Sequence, residues 1–415
     1  MKKMYLLLVP LLFFNCTKTE VEEVIKEVEV ERIVTNTVIE TVTITSTTVI
    51  APEEYSFTRK GISTVYYTGQ TARLDMATEL KSAMNNISST QTGIDNMFNQ
   101  GIGFSDSSLD ASGKKVGNKT AASPIASATV KPLFDGWITE FTTTVIPAVN
   151  DNITATSGVA GSYTEVDGSR MVKVNAKGFE LNQIFSKGLI GALQIDQIVN
   201  GYLSFSKLDG ARQDHDDDVY AYTYPGQTEP SITKMEHYWD EGFGYLQGLD
   251  NQFASGLGDS SIGRDTANLN YYLNKVNSQT NEAGITDRIY KAFTIGRAAI
   301  TAKDYDERDR QASIIASELS KVIGYKAQSY LRDAAEDIDN EDWADALHAL
   351  SEAYGFILGL QFTKALDGSP YLTNQGVNEL LDELSAGTGG FWERTPAELT
   401  AMADQLEQVT GLILE

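Results

Sequence analysis

The chain of 415 residues has one cysteine and three histidines. With a single thiol, Cys16, no disulfide can form within the chain, so its stability must come from core packing. Three imidazoles, His215, His237 and His348, leave few places for histidine chemistry. Basic residues are also scarce: 33 Lys and Arg stand against 57 Asp and Glu, for a formal net charge of −24. Such a surface repels phosphate backbones and anionic headgroups, which excludes nucleic-acid binding and electrostatic docking on a membrane. It is compatible with cationic or metal-ion ligands, although most acidic proteins are simply soluble. The sequence contains no His-Glu-x-x-His pair, Walker loop, dinucleotide fingerprint or Gly-x-Ser-x-Gly elbow.

The longest apolar run lies at the start. Lys2 and Lys3 precede an uncharged stretch from Met4 to Phe14, shorter than the roughly 20 residues a membrane-spanning helix needs. It ends at Asn15-Cys16. A lone cysteine after such a core resembles a bacterial lipobox, which implies that residues 1–15 are a signal peptide and that Cys16 carries lipid. Residues 16–51 then form a lipidated start and a spacer rich in Val, Ile, Thr and Glu. Its β-branched residues favour a stiff, extended chain, with a short coiled coil as the alternative.

Residues 52–415 form the folded part. Tyr55 to Gln70 reads as a hairpin around Lys60-Gly61, and Tyr163 to Val174 as another, turning at Asp167-Gly168. Helical spacing is expected from Thr71 to Asn99, and from Phe134 to Val149 with a break at Pro147. Residues 100–126 read as a loop. From Gly178 onward helices dominate, the last one capped by Thr395, Pro396 and Glu398. The expected fold is all-α: a duplicated helical bundle with small β-hairpin decorations.

Two segments match each other. His237, Glu241, Gly244, Gly248 and Leu249 have the same spacing as His348, Glu352, Gly355, Gly359 and Leu360. The match suggests an internal repeat, about 178–260 and 286–366. Offsets of zero, four, seven and eleven fall on one helical stripe, so each histidine neighbours its glutamate on a face that continues as glycines. Each interior glycine costs a helix roughly 1 kcal/mol against alanine, which calls for close approach by a backbone or a ligand. If the two stripes face each other, His237, Glu241, His348 and Glu352 converge as a metal site. Otherwise each histidine bonds its own glutamate and the glycines serve packing. Glu180, Gln183 and Lys187 also share one helical face, suited either to a surface ion pair or to the wall of a ligand pocket. The acidic run Asp214 to Asp218 lacks the glycine and terminal glutamate of a calcium loop and reads as a solvated connector.

The segments Tyr55-Ser-Phe-Thr-Arg, Lys177 to Gly191 and Lys234 to Glu241 resemble an exported, helical lipoprotein family classified only as a domain of unknown function. More distantly the chain is similar to imelysin-like proteins, duplicated helical bundles linked to iron acquisition. Their Gly-x-His-x-x-Glu motif has its nearest counterpart in His237 and Asp240, while His348 has Ser351 at the acidic position. The resemblance implies Asp240 as a ligand-binding residue beside Glu180, Gln183 and Lys187.

The expected function is therefore a non-enzymatic lipoprotein of the cell envelope, anchored through Cys16, with the outer membrane as its expected location. It would bind a ligand for uptake, with iron or another divalent metal, free or chelated, as the candidate cofactor and an outer-membrane transporter as the candidate partner. A metal-dependent hydrolase with Glu241 or Glu352 as base and a purely structural or partner-binding lipoprotein are the alternatives.

Overall fold

The computed structural model describes residues 24–33, 39–122, 128–249 and 268–414. The leader and Cys16 lie outside them, as does Gly258-Asp259-Ser260, a resemblance to an esterase block that the sequence reads as a loop. The described part is mostly helical with four two-stranded hairpins, the all-α class expected. Among the described residues no helix is long and apolar enough to cross a membrane.

The β-branched spacer folds back on itself. Val24–Ile33 pairs antiparallel with Ile39–Thr48, so the extended backbone expected there is a hairpin and the coiled-coil alternative does not form. Thr58–Arg59 pairs with Ile62–Ser63 through Lys60 and Gly61. Both turn residues have positive φ, 53° and 78°, the geometry of a tight hairpin turn. Gly161–Thr164 pairs with Met171–Val174 across the turn expected there.

Two boundaries differ from the sequence reading. The helix expected from Thr71 to Asn99 is split: Thr68–Ala83 ends, and a second helix opens at Gln91, where Thr90 accepts a hydrogen bond from Gly93 N. Asn85, Asn86, Ser88 and Ser89 occupy the break, residues whose side chains compete for backbone hydrogen bonds. Pro147, conversely, breaks nothing. A wider π turn over Phe141–Val145 precedes it, and the helix resumes at Ile146–Asn150 with the proline in its first turn.

The bundle is organised around two long elements. Tyr305–Asp339 is started by Asp304, which accepts from Glu307 N, and packs on Ile285–Thr301, Trp343–Gly359 and Pro396–Thr410. Leu181–Leu189 runs directly into the π-helical segment Ile190–Tyr202, and nearly all of this element is buried. Its first half packs against Trp343–Gly359 and its second half against Lys234–Gln247. It therefore stands between the two helices that carry the matching motifs. Thr233 and Thr395 each form a full capping box, with Glu236 and Glu398.

Candidate functional site

The glycine stripes meet other helices, not each other. A Cβ on Gly355 would lie 2.5 Å from Lys187 Cβ and 2.8 Å from Gly188 N. One on Gly191 would overlap Gly359 Cα. The second stripe is thus a close crossing with the Leu181–Leu189 helix and its continuation. The first stripe docks elsewhere: Gly244 is covered by Tyr67, and a Cβ on Gly248 would lie 3.0 Å from Thr71 Oγ1. Both residues lie at the start of the Thr68–Ala83 segment. Close packing explains all four glycines without a ligand: helix backbone at Gly355 and Gly359, the Tyr67 ring at Gly244 and Thr71 at Gly248.

This arrangement separates the expected metal residues. The Glu241 carboxylate is held at the start of the Thr68–Ala83 helix, where Gln70 Nε2 donates to it at 2.8 Å. Glu352 sits near the other end, where its charge and that of Glu180 act on Lys81. Eleven helical residues, about 16 Å, divide Gln70 from Lys81, too far for one ion with metal–nitrogen bonds near 2 Å. Among the described residues, no group of three or more His, Cys, Asp and Glu is arranged to hold a metal ion. His237, Glu241, His348 and Glu352 therefore form two local pairs and no shared metal centre.

The His348 end is a buried cluster of interlocking charges. His348 Nδ1 donates to Glu180 Oε2 at 2.6 Å, and its Nε2 lies 3.7 Å from Glu352 Oε1. Lys187 Nζ is 3.0 Å from the same Glu352 oxygen and is almost fully buried. Burial alone would raise the Glu352 pKa. Lys187, His348 and the Tyr330 hydroxyl outweigh it and hold the carboxyl at about 2. Glu180, Gln183 and Lys187 are all buried here, so their shared face lies inside the packed bundle and the surface ion pair is excluded. Gln183 Oε1 is buried without a hydrogen-bond partner. Lys81 is half-buried, and burial together with the neighbouring Lys187 ammonium lowers its pKa to about 8.

At the other end, His237 lies against Tyr222 and Tyr66, with ring centroids 4.0 and 5.6 Å away. Its Nε2 is 3.8 Å from Glu241, its Nδ1 is buried without a partner, and burial lowers its pKa. Asp240 is fully buried. Its Oδ1 accepts from Tyr55 Oη at 2.6 Å and from Arg297 Nε at 3.1 Å. Burial raises its pKa to about 7, only partly offset by Arg297 and Tyr55. Arg297 also reaches Glu236 at 3.2 Å, and Arg59 reaches it at 2.8 Å. These guanidinium groups overcome burial and keep Glu236 at about 2. The ligand role expected of Asp240 is thus replaced by anchoring: it ties the segment from Tyr55 to Thr64 onto the bundle, with Thr64 bonded to Arg297 as well.

That anchored segment forms one side of an open cleft of about 800 Å³. Tyr55, Tyr66, Tyr67 and Tyr224 supply aromatic surface, and Glu54, Asp75 and Asp106 supply carboxylates against a single lysine, Lys114. Gly248 of the first motif reaches the same cleft. The wall is rigidly backed, since Tyr55 stacks on Phe243 at 3.8 Å and Tyr66 lies on His237.

His215, the third histidine, is a buried structural group: Nε2 bonds the Ile300 carbonyl at 2.7 Å, and Nδ1 bonds Thr233 Oγ1 at 2.8 Å. The acidic run beside it is ion-paired, Asp214 with Lys234 and Asp218 with Lys303. Arg297 and Lys81 escape the sequence reading, and Tyr55 enters it only through a hairpin and the family resemblance, not as a site residue. Arg297 left one signal, an arginine between Gly296 and the apolar run Ala298 to Ile300. Lys81, in Glu79-Leu80-Lys81-Ser82, looks like any helix-surface lysine.

Residues 52–412 match the family model described as Domain of unknown function (DUF4856). No curated protein and no solved structure matches the chain.

Proposed function

The chain belongs to the family Domain of unknown function (DUF4856), and we propose, from its leader sequence, an exported, lipid-anchored envelope protein and, from the geometry, one that binds a small ligand in the tyrosine-lined cleft. The cleft volume, about 800 Å³, lies within the range of small-molecule sites, which combine aromatic walls with a few placed polar groups. This cleft is the observation that carries the reading.

Its three carboxylates against one lysine favour a neutral or cationic ligand. A bare divalent ion would need a donor set that the described residues do not assemble. A metal already wrapped in its own chelator needs only shape, aromatic contact and charge complementarity, so a ferric chelate for uptake is the ligand proposed. Binding is favoured over hydrolysis because Ser56, Ser63, Ser108 and Ser112 line the cleft while no histidine is among the lining residues to activate them.

Titration calorimetry with a cationic ferric trihydroxamate, and with the metal-free trihydroxamate as control, tests the reading on the chain from Thr17 onward. The metal-loaded chelate should bind, and Tyr66→Ala with Tyr224→Ala should weaken it about tenfold or more. No binding, or equal binding by the double variant, would contradict it. Anchoring is tested separately: labelled palmitate should enter the full chain and be absent from Cys16→Ser.

A further inference from the structure

We propose that a groove along the first half of the Tyr305–Asp339 helix is a second ligand site and takes a free alkanoate, its alkyl chain against the apolar wall and its carboxylate on Lys364. The inference does not depend on the tyrosine-lined cleft. The groove has a volume of about 450 Å³, within the range of small-molecule sites. Leu203, Phe205, Ile314, Ala316 and Leu366 give it an apolar lining. Two of these are left uncovered by the chain: Phe205 is 50% exposed and Leu366 96%. One exposed leucine needs no explanation, but two large apolar side chains on different elements of one groove mark a binding surface. Leu366 does not stand on a loose loop. Its turn is closed by Gly368 N donating to Ala365 O at 2.9 Å and Ala365 N donating to Ser369 O at 2.8 Å. Lys364 N ties the turn to the long helix, donating to Ser320 Oγ at 2.7 Å.

Four charged side chains border the groove, and three of them are committed elsewhere. Glu318 holds Arg288 at 2.8 Å and Lys321 at 3.2 Å. Arg310 donates twice to Glu307, at 2.7 and 2.8 Å. Asp367 accepts from Ser369 N and Oγ at 2.9 and 2.6 Å. Lys364 is the exception. It is half-buried, yet among the described residues its ammonium has no ion pair and no hydrogen-bond acceptor. Burial alone moves its pKa, downward. In a chain with 57 Asp and Glu, a lysine left single beside an apolar groove is complementary to an anionic head on an apolar tail. Ser317, half-buried in the same lining, adds a hydroxyl donor. One ammonium and one hydroxyl match the two oxygens of a carboxylate.

Titration calorimetry with hexanoate, octanoate and decanoate tests this on the chain from Thr17 onward. All three should bind, with affinity rising about tenfold for each pair of added methylenes. Octyltrimethylammonium, the same chain length with a cationic head, should not displace octanoate. Lys364→Met keeps the apolar stem and is expected to fold, and it should weaken decanoate about tenfold or more. Lys291→Met, which removes an exposed positive charge elsewhere, should leave decanoate binding unchanged. Leu366→Ser changes a side chain that packs on almost nothing and should also weaken it. If decanoate does not bind the wild type, if octyltrimethylammonium displaces octanoate, or if Lys364→Met and Leu366→Ser bind decanoate as tightly as Lys291→Met, the site does not exist.

Discussion

Replacing Gly191 by alanine puts one methyl group into the tightest crossing of the bundle. The new Cβ would sit under 3.0 Å from Gly359 Cα, where an unstrained carbon contact needs about 3.5–4.0 Å. Both partners are backbone, so no side chain can swing away, and the helices must part by roughly 1 Å. Overpacking of this kind costs about 1–3 kcal/mol, and a backbone clash belongs at the upper end. Alanine returns up to about 1 kcal/mol of helix propensity. The net expectation is a loss of about 2 kcal/mol, read as a lower midpoint in urea unfolding of the chain from Thr17 onward. Gly136 is the matched control. It lies inside the Val130–Glu140 helix, is exposed, and a Cβ there meets nothing within 4 Å. Gly136→Ala should therefore stabilise, by up to about 1 kcal/mol. If Gly191→Ala is as stable as the wild type, the close crossing is not what the glycine serves, and the explanation of the stripe fails.

Four further outcomes follow from the buried polar groups. Arg297→Met removes the guanidinium that Glu236 and Asp240 share, leaving Glu236 to Arg59 and Asp240 to Tyr55, and should cost about 3 kcal/mol in urea unfolding. Asp240→Asn should cost less, and it should change the pH profile. Asp240 holds its proton up to about pH 7, whereas the unfolded chain loses it near pH 4. The native state therefore binds more protons across that window, and this residue makes stability fall as pH rises from about 4 to 7; the fall should vanish in Asp240→Asn. Lys81 acts in the opposite sense. Its pKa of about 8 lies below the usual lysine value, so the unfolded chain binds more protons between about pH 8 and 10.5 and stability should rise there. Lys81→Met should be more stable than wild type at pH 7 in low-anion buffer, with the gap closing toward pH 10. His237→Phe keeps a ring between Tyr66 and Tyr222 and removes a buried, unpartnered nitrogen, so unfolding should place it within about 1 kcal/mol of wild type.

Helical spacing, turn pairs and capping residues carried most of the fold. Lys60-Gly61, Asp167-Gly168 and the Thr395 box all mark local structure, because their effects act within a few residues. The internal glycines were equally legible as sites of close approach. What approaches them was not, since periodicity fixes which face a residue occupies but not which helix meets that face. The two histidine stripes therefore seemed able to converge, yet Tyr67 covers one and Gly188 with Gly191 the other. Glu180, Gln183 and Lys187 show the same gap from the other side. Their offsets suit a surface ion pair, and only the crossing of the Trp343–Gly359 helix over them buries them. The cleft had no sequence signal at all, being assembled from short segments far apart in the chain.

Diffraction at the iron absorption edge from crystals grown with the ferric trihydroxamate tests the central claim most directly. The account predicts one strong anomalous peak inside the tyrosine-lined cleft, with the chelate against Tyr66 and Tyr224. A peak bonded to His348 and Glu352, or a cleft left empty while iron is bound elsewhere on the chain, would contradict it.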